Sequence, residues 1–214
     1  MKHQDESAND IITGCHSSRQ FALTFDDGPS EFTDALLDKL AQRGIKATFF
    51  VVGDMLNEPE KAATLLRAYK EGHQIALHTQ SHPHLDELTY DEVYAEIADN
   101  QKAVAKVIGV KPRYFRCPFG ECGGNVLNVI RALGLKVALW NLDTKDFLDD
   151  RAGEDIVEVV RAGISIYGGI IDLQHDVVAE TVRVAGKIID LVLAAHMHPV
   201  TVAQCVDDGH GAYF

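Results

Sequence analysis

Runs of hydrophobic residues alternate with amphipathic stretches along most of the chain. The continuous apolar runs are rich in β-branched and aromatic residues and predict strands, and the stretches between them repeat at helical spacing. The predicted strands are Phe21–Phe25, Ile45–Val52, His73–His78, Arg113–Arg116, Leu135–Trp140, Gly169–Leu173 and Pro199–Ala203. The predicted helices are Phe32–Arg43, Pro59–Glu71, Thr89–Ile108, Asn125–Leu133, Gly153–Ile164 and Ala179–Ala195. Such alternation indicates an α/β fold with a parallel sheet covered by helices.

This pattern fits either an open doubly wound sheet or a barrel. No glycine-rich phosphate loop follows the first predicted strand, which argues against a dinucleotide-binding fold. We find no linker, repeat or low-complexity tract, so a single domain is the simplest organisation. We expect an N-terminal extension over residues 1–20, the domain itself over residues 21–205 and a C-terminal tail over residues 206–214.

Composition and charge narrow the possible partners. The 214 residues carry a formal net charge of −12, which argues against a nucleic-acid partner because such proteins need a basic face. No apolar run reaches the length that spans a membrane. The first six residues lack the apolar core of a signal peptide, so the protein is either cytosolic or begins after a removed signal.

Four cysteines bear on that choice. Cys15 precedes the first predicted strand and Cys205 follows the last, so a bridge between them would join the two ends of the domain. Cys117 and Cys122 are close enough in sequence to pair locally. Four reduced thiols in a cytosolic enzyme are the alternative. The end-to-end placement favours a secreted, disulfide-bonded protein.

Residues with chemical potential follow the carboxyl ends of the predicted strands. In parallel α/β folds these ends converge on one face, where active sites lie. The residues are Asp26, Asp27, His78, His82, Arg116, Asp143, Asp146, His175 and Asp176.

Two of these segments suggest a metal centre. Adjacent carboxylates at Asp26 and Asp27 repel each other unless solvent, a cation or a base relieves them, so one could bind a metal while the other handles a proton. His78 and His82 are four residues apart and could converge on one helix face, or through a turn, which Pro83 favours. Two imidazoles and one carboxylate leave positions open on a zinc-like cation.

The remaining segments suggest a base, an acid and their supports. Arg116 could hold Asp26 ionised and oriented, since arginine grips a carboxylate with two hydrogen bonds. His175 offers an acid that titrates near neutral pH, and Asp146 could orient it and stabilise its charge. We expect the other histidines discussed, His84, His196 and His198, to lie outside the site, and Trp140 to belong to the core.

The segments that contain these residues resemble the motifs of a known family. Five segments, Thr24-Phe25-Asp26-Asp27-Gly28-Pro29, His78-Thr79-x-x-His82, Arg116-x-Pro118-Phe119-Gly120, Asp143-x-x-Asp146-Phe147 and Leu173-x-His175-Asp176, resemble the five ordered motifs of polysaccharide deacetylases, carbohydrate esterase family four. The resemblance extends from Phe21 to Val202. The cysteine placement is similar to that of fungal secreted chitin deacetylases.

The resemblance implies a single distorted (β/α) barrel with about seven parallel strands and one divalent metal, zinc first and cobalt second. It implies that Asp27, His78 and His82 are the metal ligands and that Asp26, held by Arg116, is the general base for the metal-bound water. It also implies that His175, tuned by Asp146, protonates the leaving amine. The substrate-binding residues would be Phe119 through its backbone N–H, Phe147 beside the sugar or acetyl pocket, and Leu173 in the acetyl-methyl pocket.

The implied function is removal of N-acetyl groups from N-acetylglucosamine polymers, chitin or chitooligosaccharides, by a monomer that is secreted or at the cell wall or cell surface. Departures from the motifs at Cys117, Phe147 and Asp172 leave an alternative, a catalytically silent wall protein with a binding or structural role. A Cys117–Cys122 bridge could pull Arg116 and Phe119 away from their tasks.

Asp172 and its neighbour Gln174 stand where the family usually has hydrophobic residues. An unpaired buried carboxylate is costly, so we expect the strand around Asp172 to be shifted. A third reading takes two histidines and one aspartate as an iron(II) oxygenase triad. The β/α alternation and the additional acid–base residues argue against it.

Overall fold

The computed structural model describes residues 11–214. Its strands are β1 Gln20–Ala22, β2 Thr24–Asp26, β3 Thr48–Val51, β4 Gln74–Leu77, β5 Tyr114–Phe115, β6 Lys136–Val137, β7 Leu142–Asp143, β8 Ile170–His175 and β9 His198–Val200. Its α-helices are α1 Thr33–Gln42, α2 Pro59–Lys70, α3 Tyr90–Ile108, α4 Gly124–Ala132, α5 Gly153–Ile166, α6 Ala179–Ala194 and α7 Val202–Cys205. Short 3₁₀ turns at Gly53–Asn57, Leu85–Glu87 and Pro118–Gly120 lie in the loops after β3, β4 and β5.

The paired strands are parallel and follow the order β6-β5-β4-β3-β2-β8-β1-β9, with β7 added on β8. Hydrogen bonds do not close the sheet, because the described ladders include none between β6 and β7. The predicted class, a single distorted (β/α) barrel, is confirmed. Since all strands run in one direction, their carboxyl ends meet at one end of the barrel.

The observed strands differ from the predicted ones in three places. Among the described residues the sheet has nine strands rather than about seven, because β7 was not predicted and the first predicted strand is divided at Leu23 into β1 and β2, both of which pair with β8. The last ends at Val200, and the predicted extension to Ala203 is wrong, because Thr201 begins helix α7 with a capping box. The N–H groups of Val202 and Ala203 donate to the side chains of Thr48 and Gln74 instead of to a strand.

The apolar side chains form an outer and an inner layer. The larger layer lies between the strands and the helices that cover them, and the smaller lies inside the barrel. The inner residues include the small side chains Ala22, Ala76 and Ala138 beside the larger Phe50 and Tyr114. Small residues leave room inside the barrel for the polar side chains that the site requires.

Both termini of the described chain are attached to the barrel. Disulfide bonds join Cys15 to Cys205 and Cys117 to Cys122, as predicted. Ile12 pairs with Ala138, so the part of the expected extension that is described packs on the barrel, while residues 1–10 lie outside the described residues.

The expected tail, residues 206–214, closes the opposite end of the barrel from the strands' carboxyl ends. Tyr213 pairs with Pro112, and the hydroxyl of Tyr114 donates to Asp208 at 2.7 Å. Among residues 11–214, no helix combines the length and the apolar character that a bilayer crossing demands. The division of the chain at residues 20 and 205 remains a prediction.

Candidate metal centre and active-site cleft

Neighbouring strands bring the predicted site residues to one end of the barrel. Asp26 is in register with His175 across β2 and β8, and Leu77 is in register with Phe115 across β4 and β5. His78 and Arg116, which directly follow that second pair, are therefore adjacent. The convergence expected from the strand-end positions is observed, except that Asp176 is buried against Thr33 and lines a separate cavity.

Asp27, His78 and His82 form a cluster whose potential ligand atoms all lie within 4.8 Å of one another. Asp27 Oδ1 lies 3.4 Å from Nε2 of each histidine. Carboxylate oxygen and imidazole nitrogen are donors that zinc and similar divalent ions accept. Within the part of the chain that the structure describes, this is the group of three such residues close enough to share one ion.

Unusual backbone conformations aim two of these side chains. Asp27 has φ of 73° and His82 has φ of 59°, in the left-handed region that non-glycine residues rarely occupy. The two histidines are joined by a turn, as Pro83 indicated, in which the N–H of His82 donates to the Thr79 hydroxyl at 3.0 Å. Strained backbone of this kind is concentrated at functional sites, where the surrounding structure maintains it.

The hydrogen bonds around the cluster fit a divalent cation. Asp27 Oδ1 is buried and has no hydrogen-bond partner, and such an atom is costly unless a ligand satisfies it. His78 Nδ1 lies 2.9 Å from the carbonyl oxygen of Arg116. Because a carbonyl only accepts, Nδ1 donates this hydrogen bond, and Nε2 is the ring nitrogen that faces Asp27.

The electrostatics of the cluster agree with this donor set. Burial alone would raise the pKa of Asp27, but contact with His78 and the charges of His78, His175 and His82 outweigh it and lower this pKa to about 2. Burial, reinforced by the neighbouring charge of His78, lowers the pKa of His82. These shifts favour the carboxylate and the neutral imidazole, the forms that bind metals.

Arg116 lies entirely inside the barrel beside Asp26. Its Nη1 donates to Asp26 Oδ1 at 2.7 Å and to the Thr24 hydroxyl at 2.7 Å, and Nε and Nη2 donate to the carbonyls of Ala138 and Leu139. The guanidinium also stacks over the Phe50 ring at 3.9 Å. These contacts hold the cation, so the Asp26 carboxylate has a defined position next to the metal cluster.

His175 lies beside the cluster and is held by Asp146. Its Nδ1 lies 2.7 Å from Asp146 Oδ1, and its backbone N–H donates to Asp146 Oδ2 at 2.7 Å. Thr181 donates to the same Oδ2 at 2.6 Å. Burial opposes the charged imidazole, but the hydrogen bond and charge of Asp146 raise the pKa of His175 to about 9. His175 Nε2 points into the site, 4.0 Å from Asp27 Oδ2.

A cleft of about 370 Å³ opens above the cluster. It is lined by Asp26, Asp27, His78, His82, Cys117, Phe119, Trp140, Asp143, Lys145, Phe147, Leu173 and His175. The three residues expected to contact substrate are among them, and the side chains of Phe119 and Phe147 are half exposed. The Phe147 ring meets the imidazole of His175 at 5.7 Å between centroids, so it also shields the acid.

Sequence reasoning missed several residues of this cleft. Trp140, expected in the core, packs partly buried against the inner layer but also lines the cleft. The exposed Lys145 pairs with Asp143 at 2.7 Å at the rim of the cleft. His84 is outside the cavity as expected, but its ring stacks on Phe119 at 4.0 Å. The signal for Lys145 and His84 was their position in the loops that follow strands. No local pattern distinguished Trp140 from a core residue.

The residues that differ from the family motifs do not disrupt the geometry of the site. The Cys117–Cys122 bridge forms while Arg116 keeps its bond to Asp26. The expectation of an unpaired Asp172 and a shifted strand is wrong, because Asp172 accepts hydrogen bonds from the backbone N–H of Thr24 and from Gln174 Nε2. Strand β8 keeps one register offset along its length, with Ile171 opposite Ala22 and Gln174 opposite Phe25.

Sequence comparisons agree with this geometry. Residues 13–138 match the model of the polysaccharide deacetylase family. A chitin deacetylase of Pestalotiopsis sp is 34% identical over 209 residues, which are 95% of this chain and 69% of that protein. A peptidoglycan-N-acetylglucosamine deacetylase of Bacillus cereus is 36% identical over 165 residues, 77% of this chain and 58% of that protein.

Structural comparison gives the same assignment. The chitin deacetylase of Colletotrichum lindemuthianum superimposes with a TM-score of 0.89 and 30% identity, over 96% of this chain and 95% of that chain. The chain spans between 43% and 83% of the full length of the fungal chitin deacetylases that it matches. On the family model, the relatives and the shared architecture, the chain belongs to the polysaccharide deacetylase family.

Proposed function

We propose that the protein is a metal-dependent hydrolase that removes N-acetyl groups from N-acetylglucosamine polymers, with chitin or chitooligosaccharides as substrate. One observation carries the proposal: a carboxylate, Asp26, and an imidazole, His175, flank the Asp27–His78–His82 cluster within one cleft. A base and an acid on two sides of a metal are what amide hydrolysis requires.

Asp27, His78 and His82 would hold the ion. When bound, a divalent metal supplies Lewis acidity, which polarises the acetamide carbonyl and lowers the pKa of a coordinated water towards 7. Asp27 offers the unpartnered Oδ1, and the two histidines offer Nε2 atoms directed at it. We infer zinc first and cobalt second for this donor set.

Asp26 would accept a proton from the attacking water as the oxygen of that water forms a bond to the acetyl carbon. Its Oδ2 lies 3.7 Å from His78 Nε2, so this oxygen faces the cluster while Oδ1 is bound to Arg116. The carboxylate is thus oriented, with Oδ2 left to accept the proton. A base held in this way can contribute about 10²–10⁴-fold to the rate.

His175 would donate a proton to the amide nitrogen as the bond to the acetyl carbon breaks, which releases acetate and a glucosamine unit. The Asp146 carboxylate binds Nδ1 and directs Nε2 into the cleft. Because the pKa of His175 is raised to about 9, the imidazole holds its proton at neutral pH and can act as the acid.

The substrate would be held by the walls of the cleft. The backbone N–H of Phe119 would donate to the oxygen that gains charge, a contribution typically worth about 3–4 kcal/mol. Leu173 is buried at the base of the cleft and suits the acetyl methyl group. The exposed ring of Phe147 suits a face of the sugar.

We further infer a monomer that acts outside the cell, secreted or at the cell wall. The two disulfide bonds support this setting, because such bonds persist in oxidising compartments. The alternative, a catalytically silent wall protein, depends on Cys117, Phe147 and Asp172. It is weakened because Arg116 reaches Asp26 and His175 reaches Asp146 despite these departures.

The test is acetate release from chitooligosaccharides by the zinc- or cobalt-loaded protein, with peptidoglycan as the competing polymer. We expect release that a chelator abolishes and added metal restores. Asp26→Asn should remove turnover while the protein still binds the metal. If the fully metal-loaded protein released acetate from neither polymer, the catalytically silent alternative would be favoured.

A further inference from the structure

The break between β1 and β2 lies opposite Asp172 on β8. Ala22 is in register with Ile171 and Phe25 with Gln174, so the uninterrupted register would place Leu23 opposite Asp172 and Thr24 opposite Leu173. At this point the ladder is completed by side chains. The N–H of Thr24 donates to Asp172 Oδ1 at 2.7 Å, and the hydroxyl of Thr24 donates to the carbonyl oxygen of Asp172.

This exchange of hydrogen bonds leads to the candidate base. The same Thr24 hydroxyl accepts from Arg116 Nη1 at 2.7 Å, and Nη1 also donates to Asp26 Oδ1 at 2.7 Å. All four residues are buried. Since the hydroxyl gives its one proton to the Asp172 carbonyl, its lone pair is directed at Arg116.

We propose that Asp172 is a positioning residue, which acts through Thr24 on Arg116 and thereby holds Asp26 in place. The inference rests on the proposed function only in that Asp26 is the base. A hydrophobic residue at position 172 would leave the buried N–H of Thr24 without an acceptor, and the segment would relax to find one. A shift of about 1 Å at a catalytic group can cost about a hundredfold in rate.

The second oxygen of Asp172 identifies the conservative variant. Asp172 Oδ2 accepts from Gln174 Nε2 at 2.6 Å, and Gln174 Oε1 has no partner. An amide at position 172 can keep Oδ1 as acceptor for Thr24, and its NH₂ group can donate to Gln174 Oε1 once the Gln174 amide turns over. Burial raises the pKa of Asp172 to about 8, so Asp172→Asn also changes little charge at pH 7.

The experiment compares Asp172→Leu with Asp172→Asn in the metal-loaded protein. For Asp172→Leu we expect kcat to fall by about tenfold to a hundredfold, with KM and the metal dissociation constant within about twofold of wild type. Asp172→Asn should stay within about threefold of the wild-type kcat. Rescue by the amide would show that position 172 must supply an acceptor for the Thr24 N–H, which leucine lacks.

Trp140 provides a readout that does not depend on turnover. It is the one tryptophan of the chain, and Arg116 Cζ lies 5.6 Å from the centre of its ring. Its fluorescence should change in Asp172→Leu, because Arg116 moves, and should match wild type in Asp172→Asn. The matched control is Asp208→Leu, which removes another acid with an almost fully covered side chain, the partner of Tyr114 and Lys136 at the far end of the barrel. It should lower the unfolding temperature without changing kcat or the Trp140 emission.

Thr24→Val covers the case in which Asp172→Leu does not fold. It removes the hydroxyl between Asp172 and Arg116 but keeps the backbone bond to Asp172, and we expect the same loss of kcat and the same fluorescence change. Where both variants fold, the double variant should lose no more than either single one. Wild-type kcat in Asp172→Leu or Thr24→Val, or equal damage in Asp172→Asn and Asp172→Leu, would overturn the inference. If wild-type protein released no acetate, the proposed function would fail, while the fluorescence comparison would still decide whether Asp172 positions Arg116.

Discussion

Arg116 and Asp26 form an ion pair in the interior of the barrel, with Nη1 2.7 Å from Oδ1 and both side chains almost fully buried. Buried pairs of this kind add little net stability, because each charge must be desolvated, but the loss of one partner leaves the other uncompensated. The other two guanidinium nitrogens, Nε and Nη2, donate to backbone carbonyl oxygens, and Nη1 also donates to the Thr24 hydroxyl. The pair therefore serves to position the Asp26 carboxylate rather than to stabilise the fold.

The first prediction separates the two adjacent aspartates. Asp26→Asn should lower kcat by at least about a hundredfold and leave the metal dissociation constant within about threefold, because the amide can still accept from Arg116 but cannot take a proton. Asp27→Asn should instead weaken metal binding by at least about tenfold. Acetate release and calorimetric metal titration measure the two effects. Equal metal loss in both variants would contradict the assignment.

The second prediction concerns the alkaline side of the activity profile. If His175 is the acid of the proposed hydrolysis, activity should fall as pH rises through the pKa of that residue, which Asp146 raises. Asp146→Asn removes this charge and should move the alkaline limb of kcat/KM to lower pH. Thr181→Val is the control, because it removes one donor to Asp146 and keeps the carboxylate. An alkaline limb that does not move in Asp146→Asn would exclude His175 as the acid.

The third prediction uses metal binding as a stabiliser. An ion that binds the folded chain alone should stabilise it by about 2.7 kcal/mol at a concentration a hundredfold above its dissociation constant. Zinc or cobalt should therefore raise the unfolding temperature of the wild type, and a chelator should reverse the change. His82→Ala should remove the response, whereas His84→Ala should keep it, because His84 lies outside the cluster. A response that survives in His82→Ala would place the ion elsewhere.

The fourth prediction distinguishes the two disulfide bonds. Cys15–Cys205 closes a loop with a sequence separation of 190, and Cys117–Cys122 one of 5. In the chain-entropy model their contributions are about 5 and about 2 kcal/mol. Cys15→Ala/Cys205→Ala should therefore lower the free energy of unfolding more than Cys117→Ala/Cys122→Ala.

The shorter bridge should matter more for turnover, because it encloses the Pro118–Gly120 turn that carries Phe119. We expect Cys117→Ala/Cys122→Ala to lower kcat and Cys15→Ala/Cys205→Ala to leave it nearly unchanged. Urea unfolding and acetate release on the same samples measure both quantities. The reverse ranking in either measurement would show that loop length and the Phe119 turn do not control these properties.

The fifth prediction concerns acid sensitivity and His73. This residue is buried, and Nδ1 accepts from the N–H of Ala47, so burial lowers its pKa from 6.5 to about 4. Between these values the unfolded chain binds a proton that the folded chain does not. The contribution of His73 to the free energy of unfolding is therefore complete above pH 6.5. It is lost as pH falls towards 4, by up to about 3 kcal/mol.

His73→Asn keeps an acceptor for Ala47 and removes the titration. With chelator present to exclude metal effects, its free energy of unfolding should change less between pH 7 and pH 4.5 than that of the wild type, as measured by urea titration. His198→Asn is the control, because His198 is exposed. An unchanged pH dependence in His73→Asn would show that other groups cause the acid sensitivity.

The elements of the fold and the members of the candidate site were accessible from sequence because their signals are local. The spacing of apolar residues identified most strands and all six of the long helices, including the start of α3, which Thr89 caps. His78 and His82 are four residues apart, and one turn is enough to join them. The carboxyl ends of parallel strands meet by geometry alone, so residues at those ends could be grouped without knowing the register.

Tertiary structure decided whatever depends on contacts between distant segments. The bond of Thr24 to Asp172 and the bonds of Arg116 to Thr24 and Asp26 join residues that lie 90 to 148 positions apart. The division of the first strand at Leu23 follows from such contacts. From sequence alone, Asp172 was expected to be an unpaired buried carboxylate. Its partner is the backbone N–H of Thr24, which is available because the pairing with β8 is interrupted between β1 and β2. Trp140 lines the cleft for a similar reason: composition favours burial of a tryptophan, whereas the packing of neighbouring strands determines which side of the barrel it faces.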